Sequence, residues 1–261
     1  HSHGSAEMVE LDGFWIDKTE VSIAEFASFA EAQSLTTQAE RQGGGLVYEL
    51  GWQQKAGWNW RTPYGVTPSP QEPAVHLTYD EAAAFCHWSG KRLPTESEWI
   101  SAAYTEQRAN KTRKTYLYPT GDSPEGANCL EGCGRVETSN LSTLLQRGRG
   151  HIEVGVSREG VNGLYDMGAN VWEWVNIENE AEKGTRGGSW WYGTRQMQAD
   201  YRATKPRDMA VVYIGFRCIK DKLPPDKSRP MDSGANITSL TDHIYTLSFA
   251  TLAVRQDAVS P

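Results

Sequence analysis

The chain of 261 residues carries 33 Asp and Glu against 26 Lys and Arg, a formal charge of −7. That balance excludes a nucleic-acid backbone as the main partner, because such binding needs clustered cations. The length suits one fairly large domain without demanding two, and no run approaches the roughly 18 to 20 apolar residues that cross a bilayer, so no membrane span is expected.

The opening, HSHGSAEM, has neither a basic n-region nor an apolar h-region, which reads as a secretion signal that is absent or already removed. Residues 1–7 are accordingly read as a flexible end or an expression remnant. VELDGFWID then predicts a strand over residues 8–17, broken at Asp12-Gly13 and resumed at Phe14. Ser22 and Glu25 have capping-box spacing, and Ile23, Phe26, Phe29 and Ala30 recur every three to four residues, which predicts a helix with those side chains buried. Residues 42–73 are rich in Gly and Trp and have no stable period. They read either as a long loop anchored on the core by Trp52, Trp58 and Trp60 or as the wall of a groove.

Residues 73–77 predict a short entry strand. Thr78 with Glu81 predicts a second capped helix that buries Ala82, Phe85, Cys86 and Trp88 and stops at Gly90. Thr95 with Glu98 predicts a third, with Trp99, Ala102 and Ala103 inward. From Tyr104 to Gly160 periodicity fades into surface loops. Cys129 and Cys133 are too close to resemble a zinc ribbon, with no second pair nearby, and three residues separate them where a redox CxxC has two. A local disulfide in an oxidising compartment is favoured over free thiols.

NGLYDMGANVWEW, residues 162–174, sets two tryptophans around a glutamate among small turn-forming residues. Asp166, the carbonyls around Asn170 and the Glu173 carboxylate are oxygen donors of the kind a hard cation such as calcium takes. The competing reading is that Glu173 pairs with an arginine or accepts backbone hydrogen bonds, while Trp172 and Trp174 pack on opposite sides. RGGSWW, from Arg186, predicts a glycine turn leading into a strand, and residues 213–218 predict another. Arg202 and Arg217 are placed to anchor acidic turns.

Five blocks in one order, FWIDKTEVSIAEFASF, PAVHLTYDEAAAFCHWSGKRLPTESEWISAA, NGLYDMGANVWEW, RGGSWW and IGFRC, resemble the formylglycine-generating enzyme family, also called sulfatase-modifying factor domains. The resemblance covers roughly Met8 to Lys220. It implies an α+β fold, the family's largely irregular variant of the C-type lectin fold, with little regular secondary structure and long ordered loops. Residues 8–220 then form the domain, and residues 221–261, with the apolar run IYTLSFATLAV, form a C-terminal extension expected to pack on it.

The same resemblance implies a disulfide between Cys86 and Cys218, closing a loop of over a hundred residues, for which the chain-entropy account gives about 4.7 kcal/mol. It also implies a structural calcium site at Asn170, Val171 and Glu173. Ala169 departs from the usual glycine there, and alanine resists left-handed backbone. By the Tyr201-Arg202 anchor, the family's two catalytic cysteines fall at Gln198 and Ala203. Neither supplies a thiolate or a copper ligand, so formylglycine generation and catalytic copper are not expected, unless Cys129 and Cys133 sit at the groove floor.

Two functions follow from these readings. One is an extracytoplasmic tailoring oxidoreductase, similar to the family branch that matures siderophore chromophores such as that of pyoverdine, and periplasmic or secreted. Glu173, Asp200, Tyr201 and His151 are its candidate proton-transfer groups, and His76, His87, His151 and His243 lack the local spacing of an iron triad. The other is a non-catalytic lectin-like domain that binds a small molecule or peptide in a groove lined by Trp52, Trp58, Trp60, Trp190, Trp191 and Tyr192, with charge from Arg195 or Arg202.

Overall fold

The computed structural model describes residues 7–134 and 150–222. The predicted extension at residues 221–261 and His243 lie outside the described residues beyond Lys222. Strand β1 (Met8–Glu10) and strand β2 (Phe14–Asp17) form an antiparallel pair with Met8 opposite Asp17, separated by the predicted break. At that break Gly13 has φ +94°, a left-handed geometry open to glycine.

Helix α1 (Ile23–Ala32) starts where the sequence says. The Ser22 hydroxyl accepts from the Glu25 N–H, the Glu25 carboxylate accepts from the Ser22 N–H, and the predicted Ile23, Phe26, Phe29 and Ala30 are buried. A box unnoticed in the sequence, Thr37 with Glu40, caps the one-turn helix α2 (Gln38–Arg41). Strands β3 (Leu46–Tyr48) and β4 (Trp52–Gln54) then make a small hairpin inside the stretch that showed no period.

Residues 73–77 are not a strand. Pro73 makes a single bridge to Ser22, and His76 sits at φ +57°, which breaks extended geometry. Helices α3 (Tyr79–Trp88) and α4 (Glu96–Tyr104) carry the predicted capping boxes. Ala82, Phe85, Cys86, Trp99, Ala102 and Ala103 are buried as expected, whereas Trp88 lies at the rim, 36% exposed. Its place on the inner face goes to Glu81, whose carboxylate caps α3 and also accepts from the Gln38 N–H at 2.6 Å.

Strand β5 (Trp172–Val175) centres a four-stranded sheet with β6 (Glu182–Arg186), β7 (Ala203–Pro206) and β8 (Ile214–Gly215), in the order β7-β6-β5-β8 with β5 and β8 parallel. The expected strand after RGGSW is instead β6, before it. Gly187 and Gly188, at φ +95° and +79°, turn the chain out of the sheet. Of the strand predicted over residues 213–218 only β8 is formed, and a further strand beyond it, β9 (Ile219–Asp221), pairs with β2, so the two ends of the described body share one sheet.

Seven of the ten tryptophans are buried, and the main core is aromatic. Phe26 meets Phe29, Trp60, Phe85 and Phe216 at ring separations of 5.0 to 6.5 Å. Cys86 and Cys218 form the expected disulfide across this core, 132 residues apart. Cys129 and Cys133 form the local one, so among the described residues no cysteine is free.

Glu173 on β5 faces Arg217, and both are sealed from solvent. All five guanidinium N–H groups have acceptors: two bonds of 2.7 and 2.8 Å to the Glu173 carboxylate and three to the carbonyls of Asp17, Lys18 and Tyr165. Trp99 Nε1 donates to the same carboxylate at 2.7 Å. The Arg217–Glu173 pair therefore ties β2, β5, α4 and the turn at Tyr165. Replacing Arg217 by Met is expected to cost about 3 to 5 kcal/mol, because Glu173 is left charged and buried. A fall in the urea midpoint that corresponds to less than 1 kcal/mol would contradict this account.

His76 is fully buried with Nε2 2.9 Å from the Pro63 carbonyl, and burial pushes its imidazole down from 6.5 to about 4. Because the unfolded chain takes up this proton first, stability is unaffected above pH 6.5, falls from there, and levels near pH 4, a loss on the order of 3 kcal/mol. Burial of Glu20 and Asp166 raises their carboxyl groups and so acts in the opposite sense. The test is therefore a difference: urea stability of wild type and His76→Asn should converge as pH drops from 6.5 to 4, and parallel curves would refute the assignment.

Candidate functional site

The turn before β5 is held in left-handed backbone at Asp166, Ala169 and Asn170, with φ of 60°, 65° and 52°. The alanine thus adopts the geometry it was expected to resist. Bonds from neighbouring segments surround it: Ala169 N–H donates to Gly187 O at 2.8 Å, Asn170 N–H to Asn128 O at 3.0 Å, and Trp190 N–H to Asn170 O at 2.9 Å. Three segments, around residues 127–133, 167–174 and 186–197, are laced together at this turn.

Asn170, Val171 and Glu173 are brought together, but their polar groups are already bonded to protein partners. The Asn170 carboxamide oxygen accepts from Ile152 N–H and Asn128 Nδ2, and its Nδ2 donates to Glu20 at 2.6 Å. Val171 N–H also donates to Glu20, and Glu173 is closed by Arg217 and Trp99. Asp166 accepts from Gly155 N–H and from Ser157. A divalent ion here would have to displace a buried guanidinium, so the side-chain oxygens as folded do not fit a calcium cage. Among the described residues no group of three His, Cys, Asp or Glu could hold a metal ion.

Glu20, which sequence reasoning passed over, completes the cluster. Burial, then the nearby Asp166 and Glu173 charges, push its carboxyl well above the usual range. Its only sequence signal was position, three residues before the helix start. Among the described residues the histidines do not converge on one site: His151 lies in a sealed triad with Glu72 at 2.8 Å and Tyr64 at 3.0 Å, His76 binds Pro63, and His87 is exposed.

An open cleft of about 600 Å³ lies beside this framework, with Glu131 and Gly132 on one wall and residues 192–196 on the other. The walls are joined by a 2.9 Å bond from Leu130 N–H to Tyr192 O. Arg195 enters the cleft, pairs with Asp200 at 2.8 Å, and lies over the Tyr201 ring at 5.5 Å. Of the proton-transfer candidates, Asp200 and Tyr201 are therefore at its rim, while Glu173 and His151 are sealed in the core.

Gln198 and Ala203 are not in the cleft lining. Gln198 follows the 3-10 turn Thr194–Met197 and donates to the Tyr118 hydroxyl at 3.2 Å, and Ala203 sits in β7 opposite Thr185. The sulfur near the cleft belongs instead to Cys129 and Cys133, whose disulfide brackets the wall residues Glu131 and Gly132 and touches Met197 Sδ at 3.6 Å. Of the expected aromatic groove, Trp58, Trp60, Trp190 and Trp191 are buried. Tyr192 lines the cleft, and Trp52 is 45% exposed on the hairpin beside Tyr48, ring centroids 5.3 Å apart.

The sulfatase-modifying factor enzyme 1-like domain family matches residues 2–222, and the chain belongs to that family. It is 31% identical over 267 residues to the formylglycine-generating enzyme of Bos taurus, covering 84% of this chain and 68% of the relative. It is 29% identical over 180 residues to the hercynine oxygenase of Mycolicibacterium thermoresistibile, covering 66% and 37%. The fold matches the structure of PvdO from Pseudomonas aeruginosa with a TM-score of 0.57 at 16% identity, covering 80% of each chain. The α+β fold, with few helices and long ordered loops, is that of the formylglycine-generating-enzyme-like, C-type-lectin-like group.

The cleft loop owes its course to the RGG turn. A Cβ at Gly187 would stand 2.6 Å from Met167 O, whereas one at Gly57, also left-handed at φ +75°, meets nothing within 4 Å. Gly187→Ala is expected to lose at least about 1 kcal/mol more than Gly57→Ala, since both carry the backbone penalty and only the first carries the clash. Equal losses on urea unfolding would mean the turn relaxes freely.

Proposed function

We propose that this protein is an extracytoplasmic tailoring oxidoreductase that modifies a small aromatic substrate, of the siderophore-chromophore kind, and does not generate formylglycine. The observation that carries the reading is the cleft lining. Its side chains are a carboxylate, a phenol, a hydroxyl, an amide and a guanidinium, and the four cysteines are all engaged in disulfides. No cysteine is among the lining residues, and Gln198 and Ala203 stand where the resemblance puts the family's catalytic cysteines, while Tyr192 and Arg195 offer an aromatic edge and a cation suited to a flat, acidic phenol. Two disulfides support an oxidising compartment, and among the described residues no helix is long and apolar enough to cross a membrane.

A binding role without chemistry is favoured by one feature, the Tyr48–Trp52 pair displayed on the hairpin with Leu50 87% exposed at its tip. Oxygen uptake separates the two. Purified protein given catechol-bearing chromophore precursors should consume oxygen and convert the ring, with Tyr192→Ala and Arg195→Ala each at least tenfold slower. A cysteine-bearing sulfatase peptide should emerge without an aldehyde. Aldehyde on the peptide would overturn the proposal, and saturable precursor binding with no oxygen uptake would favour the lectin-like role.

A further inference from the structure

We propose that the Cys129–Cys133 disulfide is a redox-responsive latch on the cleft: intact, it holds the Glu131–Gly132 wall against the Tyr192–Gln196 loop, and reduction by a dithiol releases that wall. This rests on reading the cleft as the working site.

The bridge and the wall are one object. Glu131 and Gly132, both in the lining, lie inside the ring that the disulfide closes. A Cβ at Gly132 would stand 3.0 Å from Thr194 Cγ2, and one at Gly193 would stand 3.4 Å from Glu131 Cγ. Leu130 N–H reaches Tyr192 O at 2.9 Å, Gly126 N–H reaches Cys133 O at 2.7 Å, and Cys133 Sγ touches Met197, the residue after the lining ends. Any change in the ring is felt across the cleft within one or two residues.

Global stability does not account for this bridge. The stabilisation a crosslink gives the folded chain rises with the length of loop it closes, and here the separation is 4 residues against 132 for Cys86–Cys218. The two also differ in setting. Cys86 and Cys218 have no exposed surface and sit in the main aromatic core, whereas Cys129 keeps 7% exposure beside an open cleft. A reductant therefore meets the short bridge after a local movement of one loop, but meets the long one only after the core opens.

The exchange balances with a dithiol as the co-reactant. Its thiolate attacks Cys129 Sγ, the sulfur–sulfur bond breaks, and Cys133 leaves as a thiolate that takes up a proton. The second thiol of the reductant then displaces Cys129, so the protein gains two electrons and two protons and the reductant leaves as a cyclic disulfide.

The full chain equilibrated in graded mixtures of reduced and oxidised dithiothreitol provides the test, with each pair read by differential alkylation and mass spectrometry. Cys129–Cys133 should be half reduced at a ratio at least tenfold lower than Cys86–Cys218, about 30 mV for this two-electron couple. With the short bridge open and the long one closed, amide hydrogen exchange over residues 192–196 should rise at least threefold while residues 172–175 stay protected. The Cys129→Ser, Cys133→Ser double variant should show the same fast exchange without reductant. Joint opening of both bridges, or unchanged exchange over residues 192–196 in the selectively reduced protein or the double variant, would overturn the latch. None of these readouts needs a ligand, so they stand or fall separately from the oxygen-uptake experiment.

Discussion

Arg217 is a charge that the fold can bury only because everything around it is already in place. A guanidinium taken out of water must find an acceptor for each N–H and a counter-charge. Here the acceptors come from the end of β2, the turn at Tyr165 and the centre of β5, segments up to 200 residues from Arg217 in the chain. The neighbouring Cys218 N–H donates to Asp17, which in turn holds Lys91 at 2.6 Å. The short strands alone could not position these segments, since several are two to four residues long. Such a buried network specifies geometry more than it adds stability, and in a body with so little regular structure geometry is what is scarce.

The cleft inherits its shape from that network at one remove. Glu173 fixes β5, the turn before β5 fixes Asn170, and the Asn170 carbonyl receives Trp190, from which the chain runs directly into the cleft loop. Arg186 supports the loop's return: its guanidinium reaches the carbonyls of Ala199 and Tyr201 and the Glu96 carboxylate on α4. The cleft wall is thus irregular backbone clamped at both ends, a construction in which side chains at the rim can vary without disturbing the frame.

What the sequence made legible were signals that act over a few residues or that the family pattern supplied. Ser22 with Glu25, Thr78 with Glu81 and Thr95 with Glu98 are local devices, and each begins a helix where it stands. The β3–β4 hairpin was not legible, because Leu46–Tyr48 and Trp52–Gln54 are three residues each and lack alternation between buried and exposed sides over a useful length. The competing readings of Glu173 could not be resolved from the sequence, since its partner lies 44 residues on and its third donor, Trp99, 74 residues back. That Gln198 and Ala203 stand outside the cleft lining was illegible for a related reason: an anchor at Tyr201-Arg202 fixes a residue count, not which side of the chain faces solvent. Gln198 lies just beyond the turn whose preceding residues form the wall.

The pairing of β2 with β9 has a consequence for how the molecule is assembled. Helices α1 to α4 carry their own start signals and need only nearby residues, so they are available early as the chain emerges. The strand that closes the first sheet arrives more than two hundred residues after its partner, and long-range pairing is the slow part of any folding reaction. Until Arg217 docks, Glu173 has no cation and the Cys86 thiol no mate, so a ribosome-bound chain that has not yet delivered its last strand is a collection of capped helices around an open, acidic seam. The final few residues of the body act as its closing stitch.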